Sequence, residues 1–334
     1  MGARIDASWE YNGLRCIQLE NEHMRVDVLP ELGGKIFRLI DKARDRDVLW
    51  KSPRVAPHRA RLHDNFDDHW AGGWDEAFPN GVAVKNRYGD DLAYLGELWS
   101  MPMSWRIGES SSAGVELVLE MATPITPARW RRTLRLGGDS VLRIAYSVEH
   151  AGYMPFDFNW GIHPALEITP SLRLDTPAVS GEVANEWGGG ALGKEGARYT
   201  WPMLGSHDLR RPLGPDSLSF ALHYLTGFKA GWVAATDVAA KRGFGLVFDP
   251  HLFKVIWLWQ CYGGWRGYHH VILEPWTGYP TSLIEAAAAG RARVMNPGES
   301  LTTEVAAVLY GGVTSVGRLD PDGRSEEAPP GDAV

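Results

Sequence analysis

The chain's most reactive-looking stretch is Gly72-Gly73-Trp74-Asp75-Glu76-Ala77-Phe78-Pro79-Asn80-Gly81. It sets two adjacent carboxylates beside an indole, between paired glycines and a Pro-Asn-Gly turn. Such a run is poor helix material and awkward for a core strand. It reads as a rigid loop that grips something polar while offering an apolar surface, and a sugar fits that description.

Two further constellations carry ionisable groups in apolar surroundings. In Pro155-Phe156-Asp157-Phe158-Asn159-Trp160-Gly161-Ile162-His163-Pro164, strand alternation puts Phe156, Phe158 and Trp160 on one face. Asp157, Asn159 and His163 then share the other, and the following proline holds His163 in extended backbone. His163 is either a hydrogen-bonded core residue or an acid/base group. In His269-His270-Val271-Ile272-Leu273-Glu274-Pro275-Trp276, a carboxylate ends an apolar strand. If Glu274 is buried, it needs partners or a chemical task, because a lone buried carboxylate is costly.

Other clusters could carry different chemistry. Parity over Trp130–Leu136 places Arg132 on the apolar face, where it snorkels, pairs with an acid or binds a sugar. The His63-Asp64-Asn65-Phe66-Asp67-Asp68-His69 cluster, with His58 upstream, is dense in ligand types but matches no standard metal spacing, so no metal is expected and it reads as a solvated loop or a pocket rim. Gly188-Gly189-Gly190-Ala191-Leu192-Gly193-Lys194-Glu195 nearly spells a phosphate-binding loop. Glu195 replaces the needed Ser/Thr, and no strand-then-helix frame surrounds it, so it reads as a flexible loop.

Composition limits the function classes. The net charge is −7, and residues 319 to 334 hold five acids against one arginine, leaving about −3 for the body. No basic face suggests nucleic acid. Two cysteines make no disulfide framework, and no apolar run is long enough to span a bilayer. A cytoplasmic protein without nucleic-acid or membrane partners is expected. The 15 tryptophans are mostly core filler. Trp74, Trp160, Trp259 and Trp276 stand in or beside polar clusters, so they are the candidates for stacking on a sugar.

The elements that must position these groups are strands. Short β-like runs with turn residues between them dominate, among them Arg15–Glu20, Met24–Leu29, Lys35–Ile40, Trp130–Leu136 and Ser140–Glu149. Later come Val255–Gln260, His270–Glu274 and Leu301–Leu309, with one short helix over Ser282–Ala289. Residues 53–73 and 181–218 read as long loops. The expected architecture is all-β: one large antiparallel β-sandwich domain over residues 1–318, then a disordered acidic tail over 319–334.

Six pieces in this order resemble the galactose mutarotase-like superfamily, which includes the aldose 1-epimerases. They are Val28-Leu29-Pro30-Glu31-Leu32-Gly33-Gly34-Lys35-Ile36, the Gly72–Asn80 motif, Leu95-Gly96-Glu97-Leu98-Trp99, His163-Pro164, Glu274-Pro275 and Asn296-Pro297-Gly298-Glu299-Ser300-Leu301. The resemblance implies a β-supersandwich acting on a free or modified monosaccharide without a cofactor. It implies that Glu274 is the base taking the anomeric proton and His163 the acid serving the ring oxygen. Their ordinary pKa values, about 4.3 and 6.5, lie in the right order, with Asp75 or Asp157 expected to raise the histidine. Asp75, Glu76, Asn80 and Arg132 are expected to grip substrate, with Trp74 and Trp259 as stacking surfaces. An anionic sugar would use Arg132 with Arg87 or Arg266. Typical members carry a second histidine where Leu95 stands, a role that falls here to His69 or Arg87. The competing expectations are a glycosidase or lyase on the same fold and a non-catalytic sugar-binding protein.

Overall fold

The computed structural model describes residues 2–111, 113–185 and 190–329. Two interleaved compact units divide the chain: residues 1–164 with 276–304, and residues 165–275 with 305–334. The fold is all-β, built from large antiparallel sheets.

In the first unit, the strands Arg4–Tyr11, Leu14–Glu20, Met24–Leu29, Lys35–Asp41, Trp74–Ala77 and Gly161–Glu167 lie side by side in that order. A second sheet is an antiparallel meander of Ser104–Ser111, Gly114–Ala122, Ala128–Leu136 and Val141–His150. The parity read from the sequence holds in Ala128–Leu136: Trp130, Arg132, Leu134 and Leu136 are buried, while Arg129, Arg131 and Arg135 face solvent. Burying that face draws the side chains of both sheets into one core.

The second unit repeats the theme. Arg198–Thr200, Ser180–Asn185, Ser219–Thr226 and Val255–Tyr262 pair in sequence. Leu172–Asp175, Trp232–Asp237, Arg242–Val247 and Ser300–Gly311 form another antiparallel series. Val255–Tyr262 is buried on both faces except at Trp259, as its unbroken apolar run requires.

Three expectations change. Residues 74–77 are a strand and not a loop, fully buried, with partners on either side. Residues 181–218 are not one loop: they contain Arg198–Thr200 and a small hairpin of Met203–Leu204 with His207–Asp208. Gly188 and Gly189 of the near-phosphate loop lie outside the described residues. The acidic end is a hairpin up to residue 329, Arg318–Leu319 against Ser325–Glu326. Glu327 anchors it by accepting the Thr314 and Ser315 backbone N–H groups at 3.1 and 3.2 Å. Its acids are used locally, so net charge alone misleads there.

Candidate functional site

The Trp74-Asp75-Glu76 motif is split by strand parity. Asp75 stands directly opposite His163 in the antiparallel ladder, and Trp74 opposite Pro164. Directly opposed residues point to the same side of a sheet. Asp75 and His163 therefore share one face, and Trp74 and Glu76 occupy the other.

On the Glu76 face the groups are sealed in the core. Glu76 accepts the Tyr146 hydroxyl at 2.7 Å and the Trp160 indole N–H at 2.9 Å. The Arg132 guanidinium lies 3.5 Å from Glu76 and also donates to the Gly34 carbonyl at 3.2 Å. Its plane rests 5.4 Å from the Trp74 ring and 5.7 Å from Tyr146. Arg132 and Trp74 are fully buried and Glu76 nearly so. Burial raises the Glu76 carboxyl against the pull of Arg132, Trp160 and Tyr146. Trp74, Glu76, Arg132 and Trp160 thus form a structural network inside the first unit, which corrects the expectation that they grip substrate. Of the three readings of Arg132, pairing with an acid is the observed one.

Asn80 is also buried. Its amide donates to the Val82 and Ala93 carbonyls, both at 2.7 Å, and so ties two loops together. Glu97 accepts from the Ile125 and Thr126 backbone at 2.7 and 3.0 Å. At Leu95–Gly96 the backbone is left-handed, with φ of 57° and 75°, and a Cβ on Gly96 would sit 2.0 Å from the Phe78 carbonyl oxygen. Leu95 is buried in that turn.

The His163 face is built differently. The helix Phe66–His69 is one turn, begun by Asn65, whose side chain accepts from the Asp68 N–H, with Asp67 and Asp68 in its first turn. It sets Phe66 and Trp70, four residues apart, on one side. Both meet the His163 ring edge-on, at 5.9 and 5.7 Å between centroids. The Trp70 indole donates to Asp75 Oδ2 at 3.2 Å. Lys35 donates to the same oxygen at 2.5 Å and to the Gly72 carbonyl at 2.9 Å. Gly72 and Gly73 have φ of 79° and 84°, and a Cβ on Gly72 would lie 2.3 Å from the Trp50 carbonyl oxygen, so glycine is required at 72, whose own carbonyl accepts from Lys35.

Burial, with the Lys35 charge second, pushes the His163 imidazole down to about 3. This reverses the expectation that neighbouring acids raise it. Asp157 does not reach His163, because the chain breaks strand geometry between Phe158 and Gly161. Asp157 instead holds the Arg87 guanidinium with two hydrogen bonds, one at 2.7 Å. Arg266 lies over the Trp265 ring at 5.4 Å. His58 and His69 share a nitrogen–nitrogen hydrogen bond of 2.8 Å, with Asp64 3.7 Å from His69. Among the described residues no group of three or more His, Cys, Asp or Glu could hold a metal ion.

In the second unit, Glu274 is buried within the strand His269–Trp276. Trp259 is half-buried and its indole donates to His270 Nε2 at 3.1 Å. Lys35, Phe66 and Trp70 were missed in the sequence. Lys35 opens an apolar strand, and the Asn65 cap with aromatics at i and i+4 was a legible helix signal inside a cluster read as a metal site or a pocket rim.

A family described as a domain of unknown function, DUF5107, matches residues 8–85. No curated protein matches the sequence. Solved structures are similar over nearly the whole chain. A candidate aldose 1-epimerase from Klebsiella pneumoniae has a TM-score of 0.69 at 13% identity, covering 92% of this chain and 83% of that one. The Slr1438 protein of Synechocystis has 0.67 at 17%, covering 90% and 98%. A galactose mutarotase-like protein from Clostridium acetobutylicum has 0.64 at 13%, covering 93% and 99%. The chain has the galactose mutarotase-like β-sandwich fold. Among the described residues no helix is long and apolar enough to cross a membrane.

Proposed function

We propose that this protein is an aldose 1-epimerase that interconverts the anomers of a monosaccharide by opening and reclosing its ring. The observation that carries the reading is a mutarotase-like fold with a buried imidazole, His163, set between aromatic walls on a sheet face. Glu274, as the base, takes the proton of the anomeric hydroxyl as the bond from C1 to the ring oxygen breaks. That oxygen gains charge and is served by His163. The released oxygen takes a proton from solvent and ends as a hydroxyl, and C1 becomes an aldehyde; on closure at its other face that hydroxyl returns its proton to solvent while Glu274 returns its own to the anomeric oxygen, which gives the other anomer. No cofactor enters this sequence.

An uncharged imidazole serves the ring oxygen as a hydrogen-bond donor, not as an imidazolium acid. Its low pKa therefore predicts no loss of rate as pH rises from 6 to 8, where an imidazolium with a pKa of about 6.5 would be lost. The substrate favoured is an uncharged sugar. Arg132 lies in the core on Glu76, and Arg87 is held by Asp157, so two of the cations an anionic sugar would use are engaged elsewhere.

NMR exchange between anomers, run over a panel of aldoses, tests the reading. At least one sugar should exchange faster than in buffer, and Glu274→Gln and His163→Asn should each lose about 100-fold or more. Sugar binding without faster exchange would favour a sugar-binding protein, and cleavage of a polysaccharide would favour a glycosidase or lyase.

A further inference from the structure

We propose that Lys35 and Asp75 are positioning residues for His163, forming with Trp70 one connected unit that fixes the imidazole ring and decides its charge. The inference rests on the reading of His163 as the group that serves the ring oxygen.

The geometry is continuous. Asp75 and His163 are paired directly across two strands. Lys35 reaches in from the strand Lys35–Asp41 and holds Asp75 Oδ2 at 2.5 Å. Trp70 binds the same oxygen with its indole N–H and lays its ring edge-on to His163. All four side chains belong to residues at least nine-tenths buried, with exposures of 5% for Lys35, 3% for Asp75, 3% for Trp70 and 7% for His163.

Asp75 is incompletely used by the fold. Its Oδ2 takes both donors, while its buried Oδ1 accepts no hydrogen bond from the described residues. A carboxylate oxygen left open there is available to an N–H of the facing ring, and a carboxylate so placed selects a histidine's tautomer and orientation.

The charge environment points the same way. Of the charged groups on the strands Lys35–Asp41 and Trp74–Ala77, Lys35 and Asp75 meet on the His163 face, Glu76 lies on the opposite face with Arg132, Arg38 lies over Tyr11, and Asp41 accepts the Ala43 N–H. The helix Phe66–His69 offers it aromatic edges, leaves Asp68 in solvent and engages His69 with His58. Glu97, on the adjoining segment, is turned to the Ile125 and Thr126 amides. Burial is the larger cause of the uncharged imidazole; the nearby Lys35 ammonium, opposing a second cation, adds to it, and the Lys35–Asp75 contact keeps the ammonium in place.

The test pairs histidine-labelled NMR of the full chain with anomer-exchange kinetics. His163→Asn identifies the His163 signal. In the wild type that signal should stay that of an uncharged ring from pH 8 down to about pH 4. Lys35→Met should move its titration up by about one pH unit or more, and lower kcat about 10-fold with KM little changed. Lys35→Arg should restore the wild-type titration. If Lys35→Met does not fold, the double variant Lys35→Met with Asp75→Asn leaves no uncompensated charge and should show the same upward move. Wild-type titration of His163 in the folded single or double variant would overturn the proposal. The titration needs no sugar, so a protein that exchanges no aldose defeats the epimerase reading while the NMR result still decides the pair.

Discussion

Two buried ion pairs start from neighbouring residues of one strand and end in different environments. Glu76 meets Arg132 at 3.5 Å with Tyr146 and Trp160 filling its remaining needs, so the carboxylate is surrounded by donors. Asp75 meets Lys35 at 2.5 Å, shares that same oxygen with Trp70 and leaves its other oxygen open. Both oxygens of the first carboxylate are engaged, as a structural charge in a core requires, although Arg132 Nε and Nη2 make no hydrogen bond among the described residues. The second is unfinished, and it faces the imidazole. The difference teaches that burial and ion pairing alone do not mark a site. What sets Asp75 apart is an open acceptor on the face it shares with His163.

The comparison breaks first at Arg132. Replacing it by Met strands the buried Glu76 carboxylate and should cost about 3–5 kcal/mol in denaturant unfolding. Adding Glu76→Gln should recover part of that loss, and His163 should titrate as in the wild type in both variants. A changed His163 titration there would show that the two faces of the strand are coupled.

The pH dependence is the next largest effect. His163 is pushed down to about 3, and His223, buried against the Tyr199 hydroxyl in the second unit, to about 4. Unfolded, each binds a proton below about 6.5, and folded, neither does until far lower pH. Their contribution to stability is therefore complete above pH 6.5 and is lost as pH falls toward the folded values. By pH 4.5 the His163 share should be roughly 2–3 kcal/mol, read as the difference between wild type and His163→Gln in urea midpoints across pH. A pH-independent difference would show that His163 is not held uncharged.

The smallest effect concerns a single donor to Glu76. Tyr146→Phe keeps the ring and removes one hydrogen bond to a carboxylate, which should cost about 1.5 kcal/mol and leave the kcat of any folded enzyme unchanged. A fall in kcat beyond the folded fraction would tie the closed network to the reaction.

Much of the scaffold was legible, because alternation reports which face of a strand is buried. Ser140–Glu149 and Trp130–Leu136 read cleanly, and the observed strands Val141–His150 and Ala128–Leu136 differ from them at the ends only. Trp74–Ala77 was not legible as a strand. Its flanking glycines and Pro-Asn-Gly point to a loop, and its two charges argue against a core. Those charges are tolerated because Lys35 and Arg132 come from distant segments, and no local pattern reveals such partners. The Phe158-to-Gly161 break likewise separated Asp157 from His163, although regular alternation would have joined them. His163 and Glu274 both proved buried, as an acid/base role or a core role equally requires.

Leu95 deserves a different use. A left-handed backbone suits histidine better than leucine, since His is enriched there and a branched apolar side chain is not. Leu95→His is therefore a graft the main chain already accommodates, whose cost lies in hiding a second imidazole from water. That makes position 95 a natural place to add a second imidazole when the proposed epimerase activity is tested.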